Sequence, residues 1–436
     1  MTPLVIGLIG MGALVLLIFA RVPVAIAMGL VGFCGYAALN GVPKALTILG
    51  QVPFDIGTGY ALSVVPLFIL MGDIAMRAGM SARLYDAARA CFAGQRGSLA
   101  LATLGACAAF GAICGSSLAT AATMTKVAIP EMDRVGYDTR LSTGAVAAGG
   151  TLGILIPPSI PLVIYSIIAE QSVSRLFAAT LIPCFVLTGL YMLVVVALLI
   201  FKRTWAPSDP QMSVRQRISA ALSVWDVLIL FGVTIGGIYA GWFTPNQAAA
   251  VGAFGAWLLG IARGRLTLFS TWQALSEAIR TSCMLFMIVI CAVVLSYFIV
   301  QTDMPSLLVG LVRQWQVSPV VLMILIVMFY VVMGCFLDGF GMILITVPIF
   351  LPMVTQSGFD PIWFGVILVI VIELGLIHPP VGMNIFVIQA QAPQIPVYKI
   401  YQGIVPFLVA PFVLLGLLIA FPEIALWLPN QLFTPR

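Results

Sequence analysis

Long apolar runs recur along the whole chain and constrain its fold more than any other feature. They occupy residues 3–20, 22–39, 58–76, 97–130, 141–170, 176–201, 223–241, 245–262, 282–300, 317–354, 361–391 and 400–421. A bilayer core about 30 Å thick needs roughly 20 apolar residues per helical crossing, whereas barrel strands alternate apolar and polar residues over about ten positions. The chain is therefore predicted to be an all-α polytopic membrane protein. Its first run lacks a basic n-region and is expected to be a spanning helix, not a cleaved signal.

The scarcity of charge and of catalytic motifs excludes several classes of function. Only 8% of residues are charged, against about a quarter in soluble domains. The net charge of +5 is spread through the loops, so nucleic acid is not an expected partner. The eight cysteines form no C-x-x-C pair, and no phosphate-binding loop, G-x-S-x-G or H-E-x-x-H motif occurs. The chain is not expected to be an enzyme.

The two halves of the sequence share a pattern in one constant register, without a gap. The matches are Pro130-x5-Gly136-Tyr137-Asp138 with Pro352-x5-Gly358-Phe359-Asp360, Gly153 with Gly375, and Pro157-Pro158 with Pro379-Pro380. A fixed register of this kind is the sequence signature of an internal repeat. Residues 1–201 are predicted to form the first repeat, 202–222 a cytoplasmic linker, and 223–436 the second repeat.

Each repeat is predicted to contain a scaffold, a hairpin with a broken helix, and a final helix. The scaffold helices lie within 1–96 and 223–300, the hairpins and broken helices within 97–170 and 317–391, and the final helices at 176–201 and 400–421. The amphipathic stretches Ser81–Arg96 and Leu268–Arg280 are interpreted as equivalent scaffold arms at the inner membrane surface.

Lysine and arginine prefer cytoplasmic loops, which predicts the orientation of the chain. If the N-terminus is outside and runs 97–130 and 317–354 are re-entrant hairpins, 15 of the 20 basic residues lie inside and four outside, with Lys126 in the membrane. Both termini are then periplasmic, and the hairpins enter from opposite sides. Inverted repeats of this kind are typical of secondary transporters. Two full crossings per long run, joined by tight exterior turns, remain the alternative topology.

Both long regions are interrupted by glycine, proline and isolated polar groups. The first hairpin tip spans 111–120 and its partner helix is predicted to break over 149–159; the second tip spans 337–341 and its partner breaks over 373–384. Prolines remove backbone donors and leave carbonyls unpaired, and such oxygens suit a desolvated Na⁺ ion. Asp338 and Glu373 are carboxylates at mid-membrane depth, where a charge costs at least about 2.5–3.5 kcal/mol. They are interpreted as ion ligands or as hydrogen-bonded anchors.

Five runs of sequence closely resemble the large permease subunit of tripartite ATP-independent periplasmic (TRAP) transporters. They are GSSLATAATMTKVAIPEMDRVGYD, AAGGTLGILIPPSIPLVIYSIIAEQS, FLDGFGMILITVPIFLPMV, GFDPIWFGVI and ELGLIHPPVGMNIFVIQA. The resemblance implies an elevator-type, Na⁺-coupled importer of a small organic acid, such as a C4-dicarboxylate or sialic acid, in a bacterial inner membrane. It also implies two partners, a small four-helix membrane subunit and a periplasmic substrate-binding protein.

The resemblance also implies site residues, at the level of the shared motifs. The first Na⁺ site would involve Ser116, Ser117, Gly150, Thr151, Gly153 and Pro157. The second would involve Asp338, Gly339, Glu373, Gly375, His378 and Pro379. The substrate would lie between the tips, near Thr120, Ser159 and Asn384. The family commonly has Thr at the position of His378, the only histidine here, so the choice between Na⁺ and H⁺ at the second site stays open.

Three other functions are compatible with parts of the sequence. A stand-alone sodium- or proton-coupled anion symporter of the same superfamily would need no binding protein. An ion channel would need a continuous polar pore, whereas the polar groups here cluster at two hairpins. An intramembrane hydrolase would need a catalytic motif that the sequence lacks.

Overall fold

The computed structural model of the protein describes residues 2–207, 212–334, 337 and 339–433, and over them the secondary-structure elements are all helices, joined by turns and short irregular segments. In the first half the helices are α1 Pro3–Phe19, α2 Val24–Asn40, α3 Val42–Thr58, α4 Val64–Arg77, α5 Met80–Phe92, α6 Ser98–Cys114, α7 Ser117–Val135, α8 Thr139–Leu155, α9 Ile160–Ile168 and α10 Val173–Phe201. The described part of the chain contains no strand, which confirms the all-α class.

The second half repeats this order after one intervening helix, α11 Val214–Ser223. Its helices are α12 Trp225–Phe231, α13 Gly237–Tyr239, α14 Pro245–Ala262, α15 Leu268–Gln301, α16 Met304–Gln314, α17 Pro319–Met333, α18 Gly339–Gln356, α19 Pro361–Ile377, α20 Met383–Gln391, α21 Val397–Ile404, α22 Val409–Ala420 and α23 Glu423–Phe433. Short 3₁₀ or π-helical turns lie at Tyr60–Ser63, Arg203–Trp205, Gly232–Gly236 and Val405–Leu408.

Several of these helices are long and apolar enough to cross a bilayer. Five continuous helical stretches of the described chain meet the length and hydropathy needed, and two helix pairs bent by 41° raise the number to seven. They are Tyr60–Arg77, Val173–Phe201, Leu268–Gln301, Gly339–Gln356 and Val397–Ala420, with the bent pairs Thr139–Leu155 plus Ile160–Ile168 and Val214–Ser223 plus Trp225–Tyr239. The protein is therefore a multi-pass membrane protein.

The register that pairs Pro130 with Pro352 extends to the helix boundaries. In this register the first and last residues of α8 match those of α19, and the first residue of α7 matches that of α18. The scaffold follows the same register, since α2 corresponds to α14 and α4 to the second part of α15. Each of these helices packs on a helix of the other half: α2 packs on α15, and α14 packs on α4. The α2–α15 crossing is close, because a methyl group at Gly32 would lie 2.6 Å from the Leu295 nitrogen.

The scaffold arms differ from their predicted pairing. In the register of the repeat the amphipathic helix α5 corresponds to α16, and the start of α15 corresponds to α3. The stretches Ser81–Arg96 and Leu268–Arg280 are therefore not equivalent. The first half turns at Gly59, which has an extended backbone between α3 and the turn before α4. Thr281 stands at the corresponding position, and α15 continues through it as one helix of 34 residues.

Both broken helices are present, but each break is shorter than predicted. The first covers only 156–159 and the second 378–382, so Gly149, Gly150, Gly153 and Gly375 remain helical. Proline lacks a donor and disfavours helical dihedrals in the residue before it, which places the interruption at the Pro-Pro pairs themselves. Glycine inside a helix costs only about 1 kcal/mol, and these glycines serve close packing instead.

The predicted linker, residues 202–222, packs against the first repeat. Two cations lie over the Trp205 ring, with Arg140 Cζ 4.5 Å and Lys202 Nζ 4.4 Å from its centroid, and the Trp205 carbonyl accepts a hydrogen bond from Asp138 N at 2.9 Å. Farther along, α11 begins at Val214, and Arg217 donates to the Ala93 carbonyl at 2.8 Å. The linker is thus fixed to the same end of the bundle at both of its described ends.

A buried carboxylate joins the halves at that end. Asp226, at the start of α12, is fully buried and forms ion pairs with Arg83 at 2.9 Å and Arg263 at 3.2 Å. The two guanidinium groups come from α5 and from the residue after α14, so one carboxylate connects an arm of the first repeat to the scaffold of the second.

The first prediction concerns this carboxylate. We expect Asp226→Asn to lower the free energy of unfolding by about 3 kcal/mol, because it leaves two largely buried cations without their counter-ion. Unfolding by sodium dodecyl sulfate in mixed micelles measures the change. Asp55→Asn is the matched control, since Asp55 is exposed on α3. Equal stability of the two variants would contradict a stabilising role for Asp226.

Candidate functional site

The first hairpin tip is a tight turn of two residues between α6 and α7. Gly115 has a φ of 62° and Ser116 is extended, so the chain reverses there. The left-handed conformation favours glycine, and a methyl group at residue 115 would collide with the Pro158 carbonyl oxygen. The Ser116 side chain caps α7 by accepting from Ala119 N, and Thr120 Oγ1 donates to the Ser116 carbonyl at 2.8 Å.

This tip lies against the first broken helix at Gly153. A methyl group at residue 153 would lie 2.7 Å from Thr120 Oγ1 and 2.8 Å from the Ser116 carbonyl oxygen. The first helix of the hairpin, α6, also approaches Gly153, because a methyl group at Gly111 would lie 2.7 Å from Gly153 Cα. The structure therefore brings Ser116, Thr120 and Gly153 together, with the Pro158 carbonyl at the edge of the same group.

Asn384 connects this group to the second repeat. Its side chain donates to Ser117 Oγ at 2.8 Å and to the Ala147 carbonyl at 3.4 Å, and Ser117 Oγ lies 3.1 Å from Asn384 Oδ1. Asn384 is fully buried, and it also faces Gly150, where a methyl group would lie 3.2 Å from Nδ2. A side chain of α20 thus closes over the tip of the first hairpin.

Ser159 lies within the first helix break. It is fully buried, and its hydroxyl has no hydrogen-bond partner among the described residues. A buried hydroxyl without a partner is unfavourable by about 1–3 kcal/mol. Its predicted role as a substrate contact stays a prediction. Pro157 and Pro158, joined by a cis peptide bond, form the centre of the break.

Over its described residues, the second hairpin packs closely on its broken helix, as the first does. A methyl group at Gly375 would lie 2.9 Å from Gly334 Cα, and one at Gly339 would meet the side chain of Ile372. Hairpin and broken helix therefore pack closely at Gly375, as they do at Gly153. His378 ends α19, with its N donating to the Leu374 carbonyl, and the cis-linked Pro379 and Pro380 follow. Asp338, predicted as a ligand here, lies outside the described residues.

Thr151 and Glu373 do not lie with their hairpin tips. Successive helical residues are about 100° apart, so each is turned away from Gly153 or Gly375, two residues later. Thr151 Oγ1 instead lies 3.1 Å from the hydroxyl of Tyr191 on α10. Glu373 is 1% exposed and lies near Tyr191, with a backbone contact to Leu155, and no side chain of the described chain forms a hydrogen bond with its carboxylate oxygens.

Two contacts of this region were not predicted from the sequence. The first is Tyr191, which the apolar run 176–201 gave no reason to place at a broken helix. The tyrosine itself was the available indication, because a buried tyrosine hydroxyl usually has a polar partner. The second is the direct hydrogen bond between Ser117, predicted in an ion site, and Asn384, predicted near the substrate.

The tips offer oxygen atoms, not a cluster of metal-binding side chains. Within the described ranges no three histidine, cysteine or acidic side chains come together. The groups that face the first tip are hydroxyl, carboxamide and backbone carbonyl oxygens. Hard cations prefer such ligands, whereas transition metals favour imidazole and thiolate. The arrangement therefore suits a hard cation and not a transition metal.

A separate apolar cavity of about 290 Å³ lies between the scaffold and the hairpin region. It is bounded by α15 on one side and by α9 and α18 on the other, with linings that include Val289, Ile164 and Leu344. Polar contacts between the two regions occur mainly at the arms, where Arg89 pairs with Glu131 and Arg313 donates to Gln356. The surface between scaffold and hairpins is thus largely apolar.

Comparison with known families gives one match over most of the chain. The family model described as "Tripartite ATP-independent periplasmic transporter, DctM component" matches residues 11–424. The C4-dicarboxylate TRAP transporter large permease protein DctM of Pseudomonas aeruginosa is 35% identical over 403 residues, which are 90% of this chain and 94% of that protein. The sialic acid TRAP transporter large permease protein SiaM of Vibrio cholerae is 29% identical over 418 residues, covering 95% and 96%.

Solved structures with a similar fold are also transporters by their titles. The YdaH transporter of Alcanivorax borkumensis superposes with a TM-score of 0.67 over 88% of this chain and 90% of that chain, at 17% sequence identity. The MtrF protein of Neisseria gonorrhoeae gives a TM-score of 0.56 at 13% identity, covering 88% and 85%. At these identities the likeness concerns the fold alone.

Proposed function

This chain belongs to the DctM component family of tripartite ATP-independent periplasmic transporters, and on that premise we propose that it imports a small organic acid by sodium symport. As a large permease subunit it is a transport protein and not an enzyme. The proposed substrate class is a carboxylate, such as a C4-dicarboxylate or sialic acid, as in the names of its relatives. The proposed location is a bacterial inner membrane, with both termini periplasmic.

One observation carries the proposal: in each half a hairpin packs closely against a broken helix at an equivalent glycine, Gly153 or Gly375, four residues before the Pro-Pro pair. Oxygen atoms of Ser116, Thr120 and Pro158 converge at the first tip, and Gly334 and Gly375 make the matching contact at the second. Helix termini at such breaks carry partial charges, positive at N-termini and negative at C-termini. The N-termini of α7 and α9 suit a carboxylate, while the carbonyls and hydroxyls suit Na⁺.

Electrical driving force favours this coupling. Moving one net positive charge inward contributes about 2.3 kcal/mol for each 100 mV of membrane potential. Two sodium ions with one monoanionic substrate, such as sialic acid, carry one net positive charge, whereas a dianionic C4-dicarboxylate needs three sodium ions for the same net charge. The sodium gradient adds to this term, so the substrate would accumulate inside the cell.

An elevator movement is the proposed mechanism. The hairpins and broken helices, α6–α9 and α17–α20, would move as one body against the exchanged scaffold helices α2, α4, α14 and α15. The support is the apolar surface between these groups, including the cavity of about 290 Å³, because such a surface has few hydrogen bonds to break. The arms α5 and α16, which contact α7 and α18 through Arg89 and Arg313, would carry the moving body.

Two protein partners complete the proposal. A periplasmic substrate-binding protein would deliver the solute, and a small four-helix membrane subunit would pack on the scaffold. Many apolar side chains of the scaffold are exposed, including Leu16, Phe54 and Phe254, which are 70%, 69% and 61% exposed. This surface would be covered by lipid and by the small subunit.

Uptake into proteoliposomes tests the sodium coupling. With both partners present, we expect uptake to require an inward sodium gradient and to stop when potassium replaces sodium. Ser116→Ala is expected to raise the sodium concentration for half-maximal uptake about tenfold, as loss of a group that supports an ion site typically does. The control is Ser306→Ala, since Ser306 is exposed on α16. Uptake that ignores the sodium gradient would overturn the proposal.

A further inference from the structure

We propose that Glu373, Tyr191 and Thr151 form a third sodium site, between the two broken helices and apart from both hairpin tips. The site extends the proposed sodium coupling and rests on it for the identity of the ion. Its residues come from three different helices, α19, α10 and α8, all of which pack on one another.

The starting observation is a buried carboxylate without a side-chain partner. Glu373 is 1% exposed, no lysine or arginine of the described chain forms an ion pair with it, and its polar neighbours include Tyr191 and the backbone of Leu155. Acidic groups inside membrane proteins almost always pair with another polar group and mark ion pathways. Glu373 therefore needs a compensating group that the described chain does not supply.

The direction of the side chain separates it from the second hairpin. The tip-facing side of α19 is defined by Ile372, which meets Gly339, and by Gly375, which meets Gly334. At about 100° per residue, Glu373 points roughly 130° away from the mean of these two directions. Thr151 has the equivalent orientation on α8, because Gly153 faces the first tip and Thr151 contacts Tyr191.

Residues related by the repeat thus face the same space. Thr151 and Glu373 occupy equivalent positions on α8 and α19: Thr151 Oγ1 lies 3.1 Å from the hydroxyl of Tyr191, and the carboxylate of Glu373 interacts electrostatically with the same hydroxyl. The Tyr191 ring also packs against Phe407 at a centroid distance of 6.1 Å, which holds the hydroxyl in place between α8 and α19. The space is therefore lined by a carboxylate, a phenol hydroxyl and a threonine hydroxyl.

This set of oxygens favours a hard monovalent cation. One carboxylate balances one positive charge, and the two hydroxyls can each provide a lone pair while their hydrogens bond elsewhere, as Thr151 does to the Ala148 carbonyl at 2.7 Å. A proton alone would neutralise the carboxylate without using the remaining lone pairs of the two hydroxyl oxygens. Sodium satisfies all three groups together.

Ion binding can be measured without transport. Full-length chain in lipid nanodiscs is equilibrated with ²²Na⁺, and the number of ions bound per chain is counted at saturation. We expect Glu373→Gln to bind one ion fewer than the wild type. Tyr191→Phe retains the packing of the ring and is expected to weaken the affinity of one site about tenfold. Tyr330→Phe is the matched control, since Tyr330 is a buried tyrosine paired with Thr346 away from this site, and its binding should equal that of the wild type.

The outcomes separate this site from the proposed function. If Glu373→Gln and Tyr191→Phe bind as many ions as the wild type, with equal affinity, the third site is wrong while sodium coupling at the tips stands. If the wild type binds no sodium, both proposals fail. If Glu373→Gln does not fold, Tyr191→Phe decides, because it removes a single oxygen atom.

Discussion

A Gly153→Ala variant is expected to give no uptake above that of empty proteoliposomes. The added methyl group would lie 2.7 Å from Thr120 Oγ1 and 2.8 Å from the Ser116 carbonyl oxygen, closer than van der Waals contact permits. One of these atoms is backbone, so the hairpin tip itself must move. Displacement of the tip separates the oxygens that converge on the first proposed ion site, and geometric errors of about 1 Å can cost two orders of magnitude in rate.

The matched control for this prediction is Gly189→Ala. Gly189 is also a helical glycine, on α10, but a methyl group there meets no atom within 4 Å. Both variants add the same methyl group to a helix, so both should gain slightly in helix propensity. Size-exclusion profiles and unfolding temperatures establish that each variant folds. Normal uptake by Gly153→Ala would contradict the close seating of the tip.

The second large effect is expected from the link between the repeats. Asn384→Ala removes the bonds to Ser117 and to the Ala147 carbonyl and leaves the Ser117 hydroxyl buried without that partner. An unsatisfied buried group of this kind costs about 2 kcal/mol. If the bond between Asn384 and Ser117 stabilises the conformation of the tip that transports substrate, this cost corresponds to a roughly thirtyfold loss in the initial uptake rate. Uptake rates at saturating sodium measure the loss.

A double-mutant cycle controls for unrelated effects of the substitution. Ser117→Ala alone should also reduce uptake, and the double variant Ser117→Ala, Asn384→Ala should be no slower than Asn384→Ala. The coupling between contacting residues is expected to reach about 1–2 kcal/mol. Additive losses in the double variant would mean that the two side chains act independently, and the link would then have no role in transport.

The repeat and its helix breaks could be predicted from the sequence because their signals are local. Asp138 and Asp360 precede helices as caps, accepting from Arg140 N and Ile362 N, and the Pro-Pro pairs end them. Such residues impose their conformation on the neighbouring backbone whatever the surroundings. The matching bounds of α8 and α19 follow directly from these signals.

Neither the extent of each break nor the correspondence between the scaffold arms could be predicted in the same way. Glycine at 149, 150 and 153 is compatible with a broken helix and with a tightly packed one, and only the position of α6 and α7 decides between them. Helix α3 has mixed polarity and carries an internal proline, Pro53. Its sequence therefore resembles a loop more than a helix.

The side-chain contacts of the site depend on tertiary packing. Ser117 and Asn384 are 267 residues apart, and Thr151 and Tyr191 are 40 residues apart. No periodicity joins such positions. The predicted ligand sets therefore placed Thr151 and Glu373 with the hairpin tips, whereas the helical turn directs them to α10.

The uninterrupted helix α15 makes the scaffold of the second half differ from that of the first. Its 34 residues extend about 51 Å at roughly 1.5 Å per residue, well beyond a hydrocarbon layer of about 30 Å. The corresponding helices of the first half, α3 and α4, are separate elements joined through the extended backbone of Gly59. The duplicated unit is thus continuous on one side of the scaffold and interrupted on the other.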